Sequence, residues 1–391
     1  MYTKKICFIT TIPITLRAFV LKTAEYIHTH TDWDISFVCS DDEQFSKELP
    51  EYIHYYPVHM ERGINFSGIK AMLEIKKIFQ REKFDLIQYS TPNASLYASL
   101  AGWLAKVPIR LYCQWGIVYV GFDGFKRRIF KMIEKVVCFL STDIEPDSYS
   151  NLKFAHEEKL YPKTKGSVIW NGSACGISLE KFNFNKKNEY RVSIRSKYNI
   201  PMDAFVFGYI GRITKDKGIN ELFTAFRSFE NDENVYLMMV GEDKNDSTID
   251  KELFEWSKKH KRVIYAGYTD VVEQYLSAMD IYILPSYREG FGMGTIEAEA
   301  MGVPVIVTNI PGPIDAMQAG LTGLTVEKKS ASSLLNAMKE MYENPDKVES
   351  FKENAVNFAI NSFEQKELFD KILKDRIRII TENNHGKRKK S

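Results

Sequence analysis

The stretch IYILPSYREGFGMGTIEAEAMGVPVIVT, residues 281–308, decides the fold. It opens on an apolar run (281–285) and passes through a glycine-rich loop carrying Glu289. It then enters a short helical pattern carrying Glu297, stops at Gly302 and closes on a second apolar run (303–308). Continuous apolar runs bounded by Gly and Pro suit central strands of a parallel sheet covered on both faces. The loop between them then lies at the carboxyl end of a strand, where open α/β sheets bind ligands.

The atoms of that loop indicate its ligand. Gly290, Gly292 and Gly294 clear side chains from a turn that opens a helix, so backbone N–H groups can approach and face an anion such as phosphate. Glu297, early in the helix, can accept two hydrogen bonds from a vicinal diol such as a ribose, and Glu289 can reach the group beyond the phosphates. Glu299, two positions on, is turned about 200° around the helix and points away. A dinucleotide fingerprint is excluded, because GFGMG lacks the G-x-G-x-x-G spacing and follows a late strand.

Outward from this stretch, strands and helices alternate along the whole chain. Strands are expected at 5–10, 34–40, 53–58, 85–90, 109–113 and 167–170, with helical patterns at 16–27, 68–84, 94–107 and 125–140. A second series has strands at 205–210, 235–240 and 263–266 and a helix at 218–229, before the opening stretch. Two successive series in 391 residues predict two doubly wound domains with mostly parallel sheets. The boundaries are set at 1–177 and 178–362, with the polar 178–203 as the connection. Residues 363–391 form a terminal helix (363–380) and a basic tail, HGKRKKS, expected to be disordered.

Composition narrows the function. A net charge of +2 offers no global attraction to nucleic acid, so no nucleic-acid partner is expected. The five cysteines are scattered through apolar runs, which indicates neither a disulfide framework nor a metal cluster and suggests a reducing compartment. His54, His59, His156 and His260 are dispersed without ligand spacing, and no D-x-D run follows a strand; no catalytic metal is implied. The first apolar run is short and lacks a cleavage site, and no segment is long enough to span a bilayer, so a cytoplasmic location is expected.

Glu289-Gly290-Phe291-Gly292 and, after a short interval, Glu297 resemble the paired-glutamate signature of the retaining glycosyltransferases of family 4. Pro285-Ser286 before it and Met301-Gly302-Val303-Pro304-Val305 after it fit the same pattern. Arg212 and Lys217, five apart between a strand and a helix, match that family's Gly-Arg and Lys-Gly pairs. A forked guanidinium and a compact ammonium suit a diphosphate leaving group. Gly267-Tyr268-Thr269-Asp270 resembles the turn that cradles the base through its backbone, and VIWNGSACGISLEKF (168–182) is similar to a connection in bacterial polysaccharide enzymes of the family.

The resemblance implies the GT-B fold: two Rossmann-like domains facing across a cleft, with a last helix crossing back to the first. It implies an acceptor-binding first domain and a nucleotide-sugar-binding second domain, with no cofactor beyond the co-substrate. The implied activity is transfer of a sugar from a nucleoside-diphosphate sugar, UDP-linked by expectation, to a hydroxyl of a glycan or polyprenyl-linked acceptor in capsule, exopolysaccharide or O-antigen synthesis. The assigned residues are Arg212 and Lys217 for the diphosphate, Glu297 for the ribose, Gly267 and Tyr268 for the base, and Glu289 with the Phe291 and Gly292 backbone for the donor sugar; Gly290 belongs to the phosphate turn. The alternatives are another GT-B reaction, such as a phosphorylase or nucleotide-sugar epimerase, and a non-catalytic nucleotide-sugar-binding protein.

The first domain departs from the pattern. Cys113-Gln114-Trp115-Gly116 stands where many relatives have a histidine followed by glycine, and Trp115 cannot accept a proton. Its ring could wall a sugar or simply pack. FKRRIFKMIEKVVCFL (125–140) reads as a basic amphipathic helix: either a core helix with a solvated face, or a surface turning Lys126, Arg127, Arg128, Lys131 and Lys135 to anionic lipid on the inner face of the cell membrane.

Overall fold

The structure, a computed structural model, describes residues 3–61 and 66–388. These fall into two compact units, one from residues 1–175 and 366–391, the other from 176–365.

In the first unit, β1 (Lys5–Ile9), β2 (Asp34–Cys39), β3 (Ile53–Pro57), β4 (Leu86–Tyr89), β5 (Ile109–Gln114) and β6 (Asp143–Pro146) form a parallel sheet in the order β3-β2-β1-β4-β5-β6. In the second, β7 (Phe205–Ile210), β8 (Val235–Val240), β9 (Val263–Gly267), β10 (Ile281–Leu284), β11 (Val305–Thr308) and β12 (Gly323–Val326) are parallel in the order β12-β11-β10-β7-β8-β9. Both orders reverse once, between β1 and β4 and between β7 and β10; such a reversal splays the loops that follow the two strands and leaves a crevice at their carboxyl ends. The apolar runs are central strands because both faces are covered. Tyr282 and Leu284 enter one core of the second unit, while Ile281 and Ile283 enter the other.

Three expectations are corrected. The sixth strand of the first sheet is Asp143–Pro146; residues 167–170 form no strand, Trp170 being in a turn at φ +49°, and touch the sheet where Ser167 N–H donates to the Ile144 carbonyl. An edge strand of four residues, two of them acidic, carries little apolar signal. The connection at 178–203 contains a helix, Lys187–Lys197, whose Arg195 is completely buried against Asp280 (2.8 Å) and three backbone carbonyls of 201–204. The terminal helix, Gln365–Arg388, continues through the start of the basic stretch expected to be disordered; 389–391 lie outside the described residues.

That helix belongs to the first unit. Leu373, Ile379 and Ile380 join its core, and the buried Arg376 donates to Glu145 (2.5 Å), Asp375 (2.9 Å) and the side-chain oxygen of Gln88 (3.1 Å). A guanidinium held by two carboxylates stays charged, and its desolvation cost is offset only while both remain.

Candidate functional site

The predicted donor-binding residues all lie in the second unit, on the loops at the carboxyl ends of β7, β9 and β10. After β7, Gly211 leads to Arg212; Lys217 ends a 3-10 turn, and Gly218 caps the helix Ile219–Phe226. Gly218 holds φ +76°, and a Cβ there would sit 2.1 Å from the Pro285 carbonyl oxygen. Only glycine lets this loop lie against the end of β10, and that contact is what brings Lys217 to Glu289: Nζ to Oε1 is 2.6 Å. Two residues assigned separately to diphosphate and sugar thus form one half-buried ion pair.

The 285–292 loop is pinned beneath. Tyr287 N–H donates to the Asp216 carbonyl (2.9 Å) and its hydroxyl to Glu221 (2.8 Å). The Phe291 ring is buried against Phe363, 5.3 Å between centroids, which anchors the loop. Gly292, at φ +85°, is the N-cap of the helix Met293–Ala300, its carbonyl accepting from the Thr295 N–H (2.8 Å), and the positive end of the helix lies on the loop after β10. Gly294 has another duty than the one predicted: a Cβ there would meet the Tyr282 hydroxyl at 2.4 Å, so its lack of a side chain serves packing. Arg212 is exposed and forms no ion pair among the described residues; its carbonyl is fixed by the Tyr209 hydroxyl at 2.7 Å. Arg288, which no spacing in the sequence singles out, is a third cation here, 3.3 Å from Asp216.

At the other end of the crevice, Glu297 is half-buried. Burial above all, opposed by Lys181 and aided by Glu273, lifts its carboxyl to about 7. Lys181 Nζ donates to the Asp270 carbonyl (3.0 Å) and lies 3.9 Å from Glu273 Oε2, tying the connection to the turn after β9. In that turn Gly267 is at φ +74° with open space around it, and the Tyr268 hydroxyl donates to Asp270 (2.6 Å). Lys181 and Glu273 were also missed, since their proximity to Glu297 comes from packing and not from sequence spacing. Glu299 does point away, into the interior: it is fully buried, and burial raises its carboxyl far above the usual range, which keeps it neutral.

In the first unit, Trp115 is partly exposed and packs on Phe19, 5.7 Å between centroids. The basic helix Gly124–Leu140 needs a correction. Lys131 and Arg127 face inward, with Lys131 2.5 Å and Arg127 3.9 Å from Glu158, and both lie over the Tyr119 ring. The exposed face carries Phe125 (76%), Ile129, Met132, Val136 and Phe139 (82%), an apolar stripe at helical spacing, beside Lys126 and Arg128. Among the described residues no helix is long and apolar enough to cross a membrane, and no group of His, Cys, Asp and Glu is arranged to hold a metal ion.

Two family models match the chain: "Glycosyl transferase 4-like" over residues 5–144 and "Glycosyl transferases group 1" over 191–358. The capsular polysaccharide biosynthesis glycosyltransferase CapM of Staphylococcus aureus is 29% identical, covering 87% of this chain and 88% of its own. A galactosyltransferase of Escherichia coli, named for UDP-Gal and α-D-GlcNAc-diphosphoundecaprenol, is 25% identical over 87% of this chain and 88% of its own. Among solved structures, HepE of Anabaena in complex with UDP superposes with a TM-score of 0.77 at 17% identity, covering 96% of this chain and all of HepE. With one model on each unit, relatives matching most of the chain and this fold, the chain belongs to the GT-B glycosyltransferases of the group 1, family-4-like type.

Proposed function

We propose that this enzyme moves a hexosyl group from a UDP-sugar to a hydroxyl of a polyprenyl-diphosphate-linked glycan during assembly of a capsule or O-antigen, with retention at the anomeric carbon. The observation that carries the reading is the joining of the loops after β7 and β10, which bear Arg212, Lys217 and Arg288, through the Lys217–Glu289 and Arg288–Asp216 pairs, with Glu297 on the Met293–Ala300 helix that the second loop opens. The names of the CapM and Escherichia coli relatives, and the UDP bound by HepE, support the substrate classes.

In this reading the diphosphate rests on the helix N-terminus. It draws Lys217 from Glu289, and Arg212 takes the oxygen that gains charge as the glycosidic bond breaks. Donors fixed in advance toward developing charge lower the barrier without reorganisation. Glu289, released from Lys217, accepts hydroxyl hydrogens of the sugar, and Glu297 accepts those of the ribose. The acceptor hydroxyl attacks from the face the diphosphate leaves, and its proton passes to the departing phosphate oxygen. The apolar stripe of Phe125 and Phe139, rimmed by Lys126 and Arg128, supports seating on an anionic bilayer, where a polyprenyl-linked acceptor resides.

The test is a thermal-shift series with UDP, GDP, ADP and NAD on the wild type and on Arg212→Ala. UDP at about 100 times its Kd should stabilise the wild type by about 2.7 kcal/mol. The variant should lose that shift and at least about 2 kcal/mol of transition-state stabilisation. Unchanged turnover in Arg212→Ala, a shift with NAD alone, or donor consumption without acceptor would overturn the reading. Sedimentation with anionic liposomes tests the membrane part: binding should be lost in Phe125→Ser/Phe139→Ser, and absence of wild-type binding would refute it.

A further inference from the structure

At the amino ends of β7 and β10, the opposite end of the second sheet from the donor loops, lies a cavity of about 530 Å³. Its charged lining includes Lys187, Arg191, Asp280, Glu349, Lys352 and Glu353. Among the described residues the ion pairs leave two of these groups over, Lys187 and the carboxylate Glu353. Asp280 is saturated by Arg191 (2.9 Å), Arg195 (2.8 Å) and the Val206 N–H (2.8 Å), and Glu349 holds Lys352 (2.9 Å). Lys187 has no carboxylate within ion-pair distance among the described residues. Its Nζ donates to the Gly302 carbonyl (2.5 Å), and the neighbouring Lys352 and Arg191 repel its charge. Burial and those two cations bring its ammonium down to about 7, with Asp280 and Glu349 opposing more weakly.

Because Asp280 is shared by Arg191 and Arg195 and Glu349 is taken by Lys352, Lys187 has no carboxylate of its own beside this cavity, and an anion would supply that charge. Asn188, Asn357 and Glu353 complete the lining with donors and acceptors suited to hydroxyl groups. We propose that this cavity is a second ligand site, distinct from the donor site, for a small phosphorylated polyol: the phosphate meets Lys187 and Lys352, and the hydroxyls meet Asn188, Asn357 and Glu353. Binding turns Lys187 fully into its ammonium form, so the site takes up a proton as it fills.

The Gly302 carbonyl that Lys187 holds closes the helix carrying Glu297. Gly302 is at φ +61°, and a Cβ there would meet the Phe184 ring at 2.5 Å, so the contact has a fixed geometry. Calorimetry on the full chain, in two buffers of different ionisation enthalpy near pH 7.5, tests the site with glucose 6-phosphate, inorganic phosphate and glucose. Glucose 6-phosphate should bind with proton uptake. Its affinity should fall at least about tenfold, the 1.4 kcal/mol of one charged contact, in Lys187→Met and in Lys352→Met, and stay unchanged in Arg212→Ala. Lys352 is partly exposed, so its variant tests the site even if Lys187→Met fails to fold. No binding up to about 10 mM, a free energy near 3 kcal/mol, would overturn the proposal. So would binding that survives both lysine variants or disappears with Arg212, and inorganic phosphate binding as tightly as glucose 6-phosphate would remove the polyol from it.

Discussion

The reversal between β7 and β10 and the reversal between β1 and β4 occupy the same place in two sheets of the same strand order, yet their loops are made of different materials. At the first, Gly218 and Gly292 have positive φ, backbone lies on backbone, and Arg212, Lys217, Arg288 and Glu289 crowd the rim. At the second, the loops are stitched by threonines. Thr11 N–H donates to Thr91 Oγ1 (3.0 Å), the two hydroxyls are 2.8 Å apart, and Thr10 donates to the Ile12 carbonyl (3.0 Å). On the β1 and β4 loops side-chain hydroxyls take up backbone donors with no cation among residues 10–12 and 90–91, whereas the β7 and β10 loops carry three cations. A reversal supplies a crevice, and the residues decide whether it binds charge.

The contrast can be broken most sharply at Gly218. Gly218→Ala places a Cβ against the Pro285 carbonyl at an unfavourable φ and should cost about 3 kcal/mol or more in chemical denaturation, together with the UDP-induced shift. A loss below about 1 kcal/mol would mean that the two loops are not locked together. Thr91→Val on the other reversal leaves the Thr11 N–H without its acceptor and should cost about 1 to 2 kcal/mol of stability while the donor KM stays constant. A change in donor KM would contradict the division of labour.

The smallest effect sharpens the donor side. Because Glu297 is raised to about 7 in the fold, its ionisation destabilises the protein as pH rises from the unfolded value near 4.5 toward 7, and the penalty is complete above that. Glu297→Gln should therefore melt higher than the wild type at pH 8, by about 1 kcal/mol after allowance for solvent, and match it near pH 4.5. Donor affinity should fall in the same variant. Wild-type donor affinity should weaken as pH drops through 7, since a protonated carboxyl accepts fewer hydrogen bonds. Equal melting of the two proteins at both pH values would show that Glu297 is better solvated than its surroundings indicate.

What could be read in advance follows from range. Glu289, Gly292 and Glu297 lie on one loop and one helix, so their spacing alone put them in one crevice. The glycines at 218 and 292 and the buried runs of β10 and β11 were visible because local sterics and two-sided burial leave a mark on composition. The four-residue β6, with two acidic residues, left none. Helical spacing of cations in 125–140 suggested that all five face outward, but the tertiary position of Glu158 turned Arg127 and Lys131 inward and left an apolar stripe exposed.

By itself the sequence determined two α/β series, their fold class and the glycine-opened turn before Met293, because each rests on periodicity or on a residue's own conformational freedom. Only the tertiary structure decided that Lys217 pairs with Glu289 across 72 residues, that Arg288 meets Asp216 nearby, that burial, with Lys181 and Glu273, sets the acidity of Glu297, and that Lys187 has no ion-pair partner among the described residues. The reason is physical. Charge interactions depend on distance and on the water excluded between the partners, and neither quantity exists until strands far apart in the chain lie side by side.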